Sequence, residues 1–346
     1  MKYFATKNSL HHTCVLSILY REIQIKGRLY GKWKLYSKIY ERRLCSDREH
    51  YQYMSEKYLI AGGDLRFARL AEYLAEKGGC VYTIGFENAV PFSKKVHNLK
   101  SLMPLNERVD YLILPLPVSN DGINVNMPYS KHILPIEQLC TAVRENGIVF
   151  GGRFTDKIKE MFSERKLCTE DYSLREEFAV LNAQATAEGA IQVAMEETAA
   201  ALSGQKILII GMGRIAKLLV HTLRGFNTEI TVAARKYSDL AWAEVYGCKH
   251  IHISQLKENL RKYSIIFNTA PAVILDADRL KEVEKSCLVI DLASKPGGVD
   301  FDTAAELGIR AVWLLSLPGK VAPLTAGVTI GKTISNILEE RRRADE

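Results

Sequence analysis

Residues 206–223 read KILIIGMGRIAKLLVHTL. A short apolar strand, Lys206 to Ile210, runs into Gly211-Met212-Gly213-Arg214-Ile215-Ala216 and then into a helical pattern. This is the G-x-G-x-x-A form of the dinucleotide fingerprint in its strand–turn–helix setting. Gly211 permits the tight turn, Gly213 lets the backbone approach a pyrophosphate, and Ala216 lets the helix pack close to the strand. The helix N-terminus then offers amide donors and partial positive charge to phosphates. Gly211, Met212, Gly213, Arg214 and Ile215 are therefore expected to hold the pyrophosphate of a dinucleotide.

Downstream, strands are expected at Glu229–Ala233, Lys249–Ile253, Ile265–Asn268, Leu288–Leu292 and Arg310–Leu314, with helices between. Six strands in β-α order fit a doubly wound parallel sheet. Upstream, a similar unit begins with a strand over Lys57–Ala61. The Gly62-Gly63 turn, a helix over Asp64–Lys77 and a strand over Cys80–Gly85 follow. Two further apolar strands are read at Asp110–Leu116 and Ile148–Gly151, separated by a long loop over Pro115–Pro135. The Ala-, Glu- and Met-rich run from Asn182 to Ser203 predicts a strong helix, and a last helix covers Thr325–Arg343. The chain thus reads as α/β: two Rossmann-like doubly wound domains, linked by long helices, with a cleft between them. The expected boundaries are residues 54–185 for an N-terminal substrate domain and 186–203 for a linking helix. Residues 204–318 make the cofactor domain, and 319–346 a terminal loop and helix.

Of the 346 residues, 25% are charged and 47% hydrophobic, ordinary for a globular protein. The apolar runs are too short for a spanning helix, which needs about 20 residues. The net charge of +7 is localised. Residues 1–53 hold 11 Lys/Arg and 4 Asp/Glu, so the remainder carries 36 of each sign and balances. The body therefore offers no field for nucleic acid or anionic lipid. The basic leader is read as upstream sequence, with the natural start at Met54; a basic interaction arm and an ordered helical extension are the alternatives. Seven cysteines without a C-x-x-C pair indicate a reducing, cytoplasmic setting with mostly buried thiols, and no spacing suits a metal.

Cofactor choice is read at the end of the second strand of the 204–318 unit. Val232-Ala233-Ala234-Arg235-Lys236 places two cations where NAD enzymes carry an acid, so NADP(H) is preferred over NAD(H). Ala234, Arg235 and Lys236 are expected around the ribose. Asn268, Thr269 and Ala270 on one loop, Asp291 and Leu292 on the next, and Pro318 at the last strand's exit are expected to flank the nicotinamide.

The stretches AGGDLRFARLAEYL, LNAQATAEGAI, ILIIGMGRIAKLL, VAARKYSDLA, FNTAPAVIL, VIDLASKPGGVDF and LPGKVAPLTAG together resemble the A subunits of dipicolinate synthase, over about Met54 to Leu338. The cofactor half alone is also similar to alanine dehydrogenase and S-adenosylhomocysteine hydrolase. The resemblance implies NADP+-linked oxidation of a lysine-pathway intermediate to dipicolinate in the mother cell of a spore-former. The intermediate is 4-hydroxy-tetrahydrodipicolinate, or the dihydro compound it yields by loss of water. The implied partner is the flavoprotein-like B subunit of dipicolinate synthase; homo-oligomerisation stays open. Two rivals remain: an alanine-dehydrogenase-like amino- or imino-acid dehydrogenase, and a non-catalytic NADP-binding scaffold.

A dianionic substrate needs cations or amide donors at two places. Lys295, Arg66, Arg153 and Lys320 are the candidate cations, with Ser119 and Thr186 as hydrogen-bond donors. Glu188 is the leading acid/base, on the expectation that a carboxylate near an apolar helix start has a raised pKa. Lys295 and Ser294 stand beside it on the loop near the ring. Asp64 reads either as a helix N-terminal acid or as a substrate group, and Asp291 as a residue that organises its loop.

Overall fold

The computed structural model describes residues 56–345, apart from Val90, Pro104 and Asn106. The readings placed on residues 1–53 lie outside the described residues.

Two six-stranded sheets, both wholly parallel, make up the body. The first comprises β1 (Lys57–Ala61), β2 (Cys80–Ile84), β3 (Val96–Leu99), β4 (Val109–Ile113), β5 (Val143–Gly151) and β6 (Cys168–Asp171), in the spatial order β3-β2-β1-β4-β5-β6. The second comprises β7 (Lys206–Ile210), β8 (Glu229–Ala234), β9 (Lys249–His252), β10 (Ile265–Asn268), β11 (Leu288–Asp291) and β12 (Arg310–Trp313), in the order β12-β11-β10-β7-β8-β9. Both orders are the doubly wound 3-2-1-4-5-6 pattern, read from one edge or the other. The direction of winding reverses between β1 and β4 and between β7 and β10. Ligands of such sheets bind at the carboxyl ends of those strands.

The central strands are apolar because both faces are covered. Leu59, Ile60 and Leu112 in the first sheet, and Ile207, Leu208 and Ile209 in the second, have no exposed surface. Edge strands escape that demand. β3 is Val-His-Asn-Leu and β6 is Cys-Thr-Glu-Asp. Neither carries an apolar run, and both are absent from the sequence reading.

Five helices matter for the site: α1 (Leu65–Glu76), α2 (Glu176–Glu197), α3 (Arg214–Arg224), α4 (Leu317–Val321) and α5 (Pro323–Asp345). Helix α2 links the two sheets. It starts six residues before the expected Asn182 and ends at Glu197 rather than Ser203. The Ala-rich run beyond it fails to continue because Thr198 turns extended, at φ −111° and ψ 142°, to feed the chain toward β7. Helix α2 packs against α3, α4 and α5. Its Ala187, Ala190, Ile191 and Ala194 share one apolar core with Met212, Ala216, Leu219 and Leu317. Gly189 lets α4 come close: a Cβ there would stand 2.8 Å from Val321.

Helix α5 returns to the first sheet and lies on α1. Gly327 and Gly331, one turn apart, form the contact; a Cβ on Gly327 would fall 2.4 Å from the Arg66 carbonyl oxygen. Ion pairs fasten its far end: Arg341 to Glu170, Arg342 to Glu56 and Glu340 to Arg175. No helix among the described residues is long and apolar enough to cross a membrane.

Candidate active site

The carboxyl end of β7 is built as the fingerprint demands. Gly211 has φ +98°, its amide donates to the Ala233 carbonyl at 2.8 Å, and a Cβ there would lie 2.5 Å from Thr269 Oγ1. Glycine is required by both conformation and space. Gly213 differs. A Cβ there would meet nothing within 4 Å, so this side of the turn is open. Gly213 is also the N-cap of α3, and no side chain caps that helix. An open, uncapped helix N-terminus behind a glycine turn suits a pyrophosphate, so the residues fit a dinucleotide. The Met212 side chain is buried in the core it shares with α2, which leaves only its backbone at the turn. Arg214 forms a bidentate pair with Glu176 at the start of α2.

The equivalent turn of the first sheet is closed. Gly62 and Gly63 follow β1 with φ +72° and +100°, but the loop after β4 covers them: a Cβ on Gly62 would stand 2.7 Å from the Asn126 carbonyl. The Gly63 amide already donates to that carbonyl at 2.9 Å. Asp64 caps α1, accepting from the Arg66 amide at 3.0 Å, and so places a carboxylate where a phosphate would sit. Two sheets of one topology thus differ at this turn, open in the second and closed in the first.

Arg66 is therefore not a bare anion seat. Its guanidinium is buried and held by Asp64 through contacts of 2.8 to 3.0 Å, and it reaches the Leu116 carbonyl at 3.4 Å. Helix α4 of the second half packs directly on this pair: a Cβ on Gly319 would lie 2.9 Å from Asp64 Oδ2 and 3.1 Å from Arg66 Nε. Lys320, exposed, follows Gly319. The structure thus brings together Asp64, Arg66 and the α4 turn, contributed by opposite halves of the chain. Two tyrosines missed in the sequence join them. Burial, and then the Asp64 carboxylate, raise the Tyr129 phenol above its ordinary value. Tyr172 is fully buried, donates to the Leu114 carbonyl at 3.1 Å and is raised mainly by burial.

Arg153 follows β5 in the left-handed region, at φ +59°, with its side chain exposed and in no ion pair among the described residues. Asp171, at the end of β6, holds that conformation by accepting from the amides of Arg153 at 2.9 Å and Phe154 at 3.3 Å. A left-handed arginine is strained by about 1–2 kcal/mol, which a clamp of this kind offsets.

Several expected roles are corrected. Glu188 is not at a helix start: it lies in the fourth turn of α2, exposed, with Gln184 Nε2 donating to it at 3.1 Å. It faces solvent rather than the apolar surroundings expected of it. Thr186 is buried within α2 and donates to the Asn182 carbonyl at 2.9 Å, so its hydroxyl proton is used inside the helix. Ser119 donates to Asp121 Oδ1 at 2.9 Å within a tight exposed turn. That turn's backbone donors and Ser119 hold the Asp121 carboxyl well below the usual carboxylate range.

At the ends of β10 and β11, Asn268 and Asp291 have no exposed surface. Asn268 Nδ2 donates to Asp291 Oδ1 at 2.8 Å and to the Ala270 carbonyl at 3.0 Å. The same Asp291 oxygen accepts from the Ala293 amide at 3.0 Å, and Oδ2 from the Gly298 amide at 2.7 Å. Asp291 thus organises its loop, as its position suggests, and carries Asn268 with it. Ser294 and Lys295 project from that loop, exposed, and Lys295 forms no ion pair among the described residues. Thr269 donates to the Ile210 carbonyl at 2.8 Å. Leu292 and Pro318 are buried and Ile215 half-buried. Ala234, the last residue of β8, is buried, whereas Arg235 and Lys236 beyond it are exposed and in no ion pair among the described residues.

Known proteins resemble this chain. Residues 57–173 match the family described as the N-terminal domain of the dipicolinate synthase A subunit, and residues 192–310 match shikimate / quinate 5-dehydrogenase. The dipicolinate synthase A subunit of Bacillus subtilis (strain 168) is 28% identical over 286 residues, which cover 82% of this chain and 96% of that protein. The crystal structure of the dipicolinate synthase A subunit from Bacillus halodurans matches with a TM-score of 0.75 at 27% identity, covering 83% of this chain and 99% of that one. L-alanine dehydrogenase matches at a TM-score of 0.56 and 10% identity, over 82% of this chain and 88% of its own, a likeness of fold alone. The second half thus has a dehydrogenase-type fold. In sequence and in fold, across both sheets, the chain is similar to the A subunits of dipicolinate synthase.

Proposed function

We propose that this chain is the nicotinamide-dependent component of a dipicolinate synthase, working with a flavoprotein-like B subunit in the mother-cell cytoplasm of a spore-former. Its substrate is the dihydro compound that 4-hydroxy-tetrahydrodipicolinate yields on losing water. Oxidation removes one hydride and one proton from the ring, leaving the aromatic pyridine-2,6-dicarboxylate. NADP+, when bound, accepts the hydride.

The observation that carries this reading is the contrast between the two turns. Gly213 opens an uncapped helix N-terminus. Asp64 closes the matching one. The backbone of Gly211–Ile215 would cradle the pyrophosphate, and Arg235 and Lys236 would take the ribose 2′-phosphate through charge-assisted bonds. The Asn268–Ala270 and Leu292–Lys295 loops would line the nicotinamide. The two carboxylates of the substrate would fall to the unpaired cations Lys295, Lys320 and Arg153. Asp64 and Arg66, already paired, would shape the seat and orient the α4 turn.

The test is a purified-protein assay with 4-hydroxy-tetrahydrodipicolinate and NADP+, with and without the flavoprotein-like partner. NADPH and the pyridine product are followed by absorbance. Stoichiometric appearance of both is expected. Cofactor reduction by alanine instead would replace this function with that of an amino-acid dehydrogenase. Tight NADP+ binding with no turnover in any mixture would replace it with that of a scaffold.

A further inference from the structure

The carboxyl ends of β8 and β9 lie side by side, with Ala234 opposite His252 in the ladder. His252 then does two things at once. Its Nε2 lies 3.1 Å from the Arg235 carbonyl oxygen. Its Nδ1 lies 3.3 Å from the Ser254 amide and 2.8 Å from Ser254 Oγ. A carbonyl only accepts and an amide only donates, so one tautomer fits: Nε2 carries the proton and Nδ1 accepts. The ring is held on a third side by Tyr237, stacked at 5.5 Å between centroids and 19° between planes. Tyr237 is 78% exposed, so its other face is free. Between these groups stand Arg235 and Lys236, both exposed and without an ion pair among the described residues. The helix that starts at Tyr237 has Lys236 as N-cap and no side-chain cap. The acid of its first turn, Asp239, is half-buried.

We infer that His252 is the positioning residue for phosphate selectivity in this site. By donating to the Arg235 carbonyl, it fixes the backbone from which both cations project and sets the Tyr237 ring beside them. The ligand half recognised here is a 2′-phosphorylated adenosine. The inference rests on the dinucleotide reading above but concerns a residue that touches no reacting atom.

Its test uses fragments without a nicotinamide. Adenosine 2′,5′-bisphosphate and 5′-AMP are titrated calorimetrically into the full-length protein, its H252A and H252Q variants, and R235A. Wild type should bind the bisphosphate more tightly, and R235A should lose that margin. H252A should lose about tenfold for the bisphosphate and little for 5′-AMP, the scale of one positioning hydrogen bond. H252Q, which keeps an N–H donor and an accepting oxygen, should recover most of it. Thermal melting checks that each variant is folded; should H252A unfold, H252F, which keeps a ring beside Tyr237 but has no N–H for the Arg235 carbonyl, takes its place and should show the same selective loss. Equal losses for both fragments, or an unchanged margin in H252A, would overturn the inference, as would a wild type that prefers 5′-AMP. The dinucleotide reading falls separately, if neither NADPH nor NADH binds the wild type.

Discussion

Gly211 and Gly213 stand two residues apart and should fail differently. At Gly211 an alanine meets φ +98° and a hydroxyl 2.5 Å away. Gly211→Ala should lower stability by about 1–3 kcal/mol, read as the shift in a denaturation midpoint, and also weaken cofactor binding. At Gly213 the backbone is extended, with φ −77° and ψ −167°, and the space is open. Gly213→Ala should melt as wild type yet bind NADPH at least tenfold more weakly, because its methyl occupies the phosphate's path. Equal melting losses at both positions would refute this division. Asp291→Asn tests the buried clasp. An amide cannot accept from Asn268, Ala293 and Gly298 together, so one donor is left facing an N–H. A loss of about 2–3 kcal/mol is expected in urea denaturation. These residues show what a sequence exposes. Glycines in a strand–turn–helix frame announce themselves. The Asn268–Asp291 clasp spans 23 residues, and no period marks it.

Among the elements, the central strands were legible because burial on both faces demands unbroken apolar runs. The edges β3 and β6 were not, because a strand with one free side carries polar residues at no cost. Helix α2 was legible in kind and displaced in position. Alanine-rich composition extended it past Glu197, where Arg310 engages the Glu197 carbonyl at 2.7 Å and its carboxylate. The fit of α5 on α1 is the element contact most open to test. Gly327→Val would drive a side chain into the Arg66 backbone. It should lower stability by about 1–3 kcal/mol by overpacking, measured by chemical denaturation. Because Arg66 moves with that backbone, the KM for the dicarboxylate should rise while NADPH affinity holds. Gly331→Ala should be milder, since the nearest atoms at 2.5 Å belong to the Tyr73 ring rather than to backbone.

For the whole molecule, the two sheets share a strand order but only one has an open turn. Titration of NADPH should therefore saturate at one equivalent per chain; two would mean that Asp64 does not exclude a phosphate. The doubly wound class of both halves was readable from the alternation of strands and helices. The division of labour between them was not, because it depends on what covers each turn. The loop after β4 and the α4 turn arrive from remote sequence, and nothing in either stretch says which turn it will cover.

One arrangement reaches beyond the catalytic question. The lobe built on the first sheet is completed by α5, which follows the whole second sheet in sequence. During synthesis that lobe emerges before the second sheet yet must wait for residues 323–345 to cover α1. A fragment ending after α2 should aggregate through the bare α1 surface, and a separately supplied peptide of residues 323–345 should rescue it in trans. The order in which this chain is made is thus not the order in which its lobes can be finished.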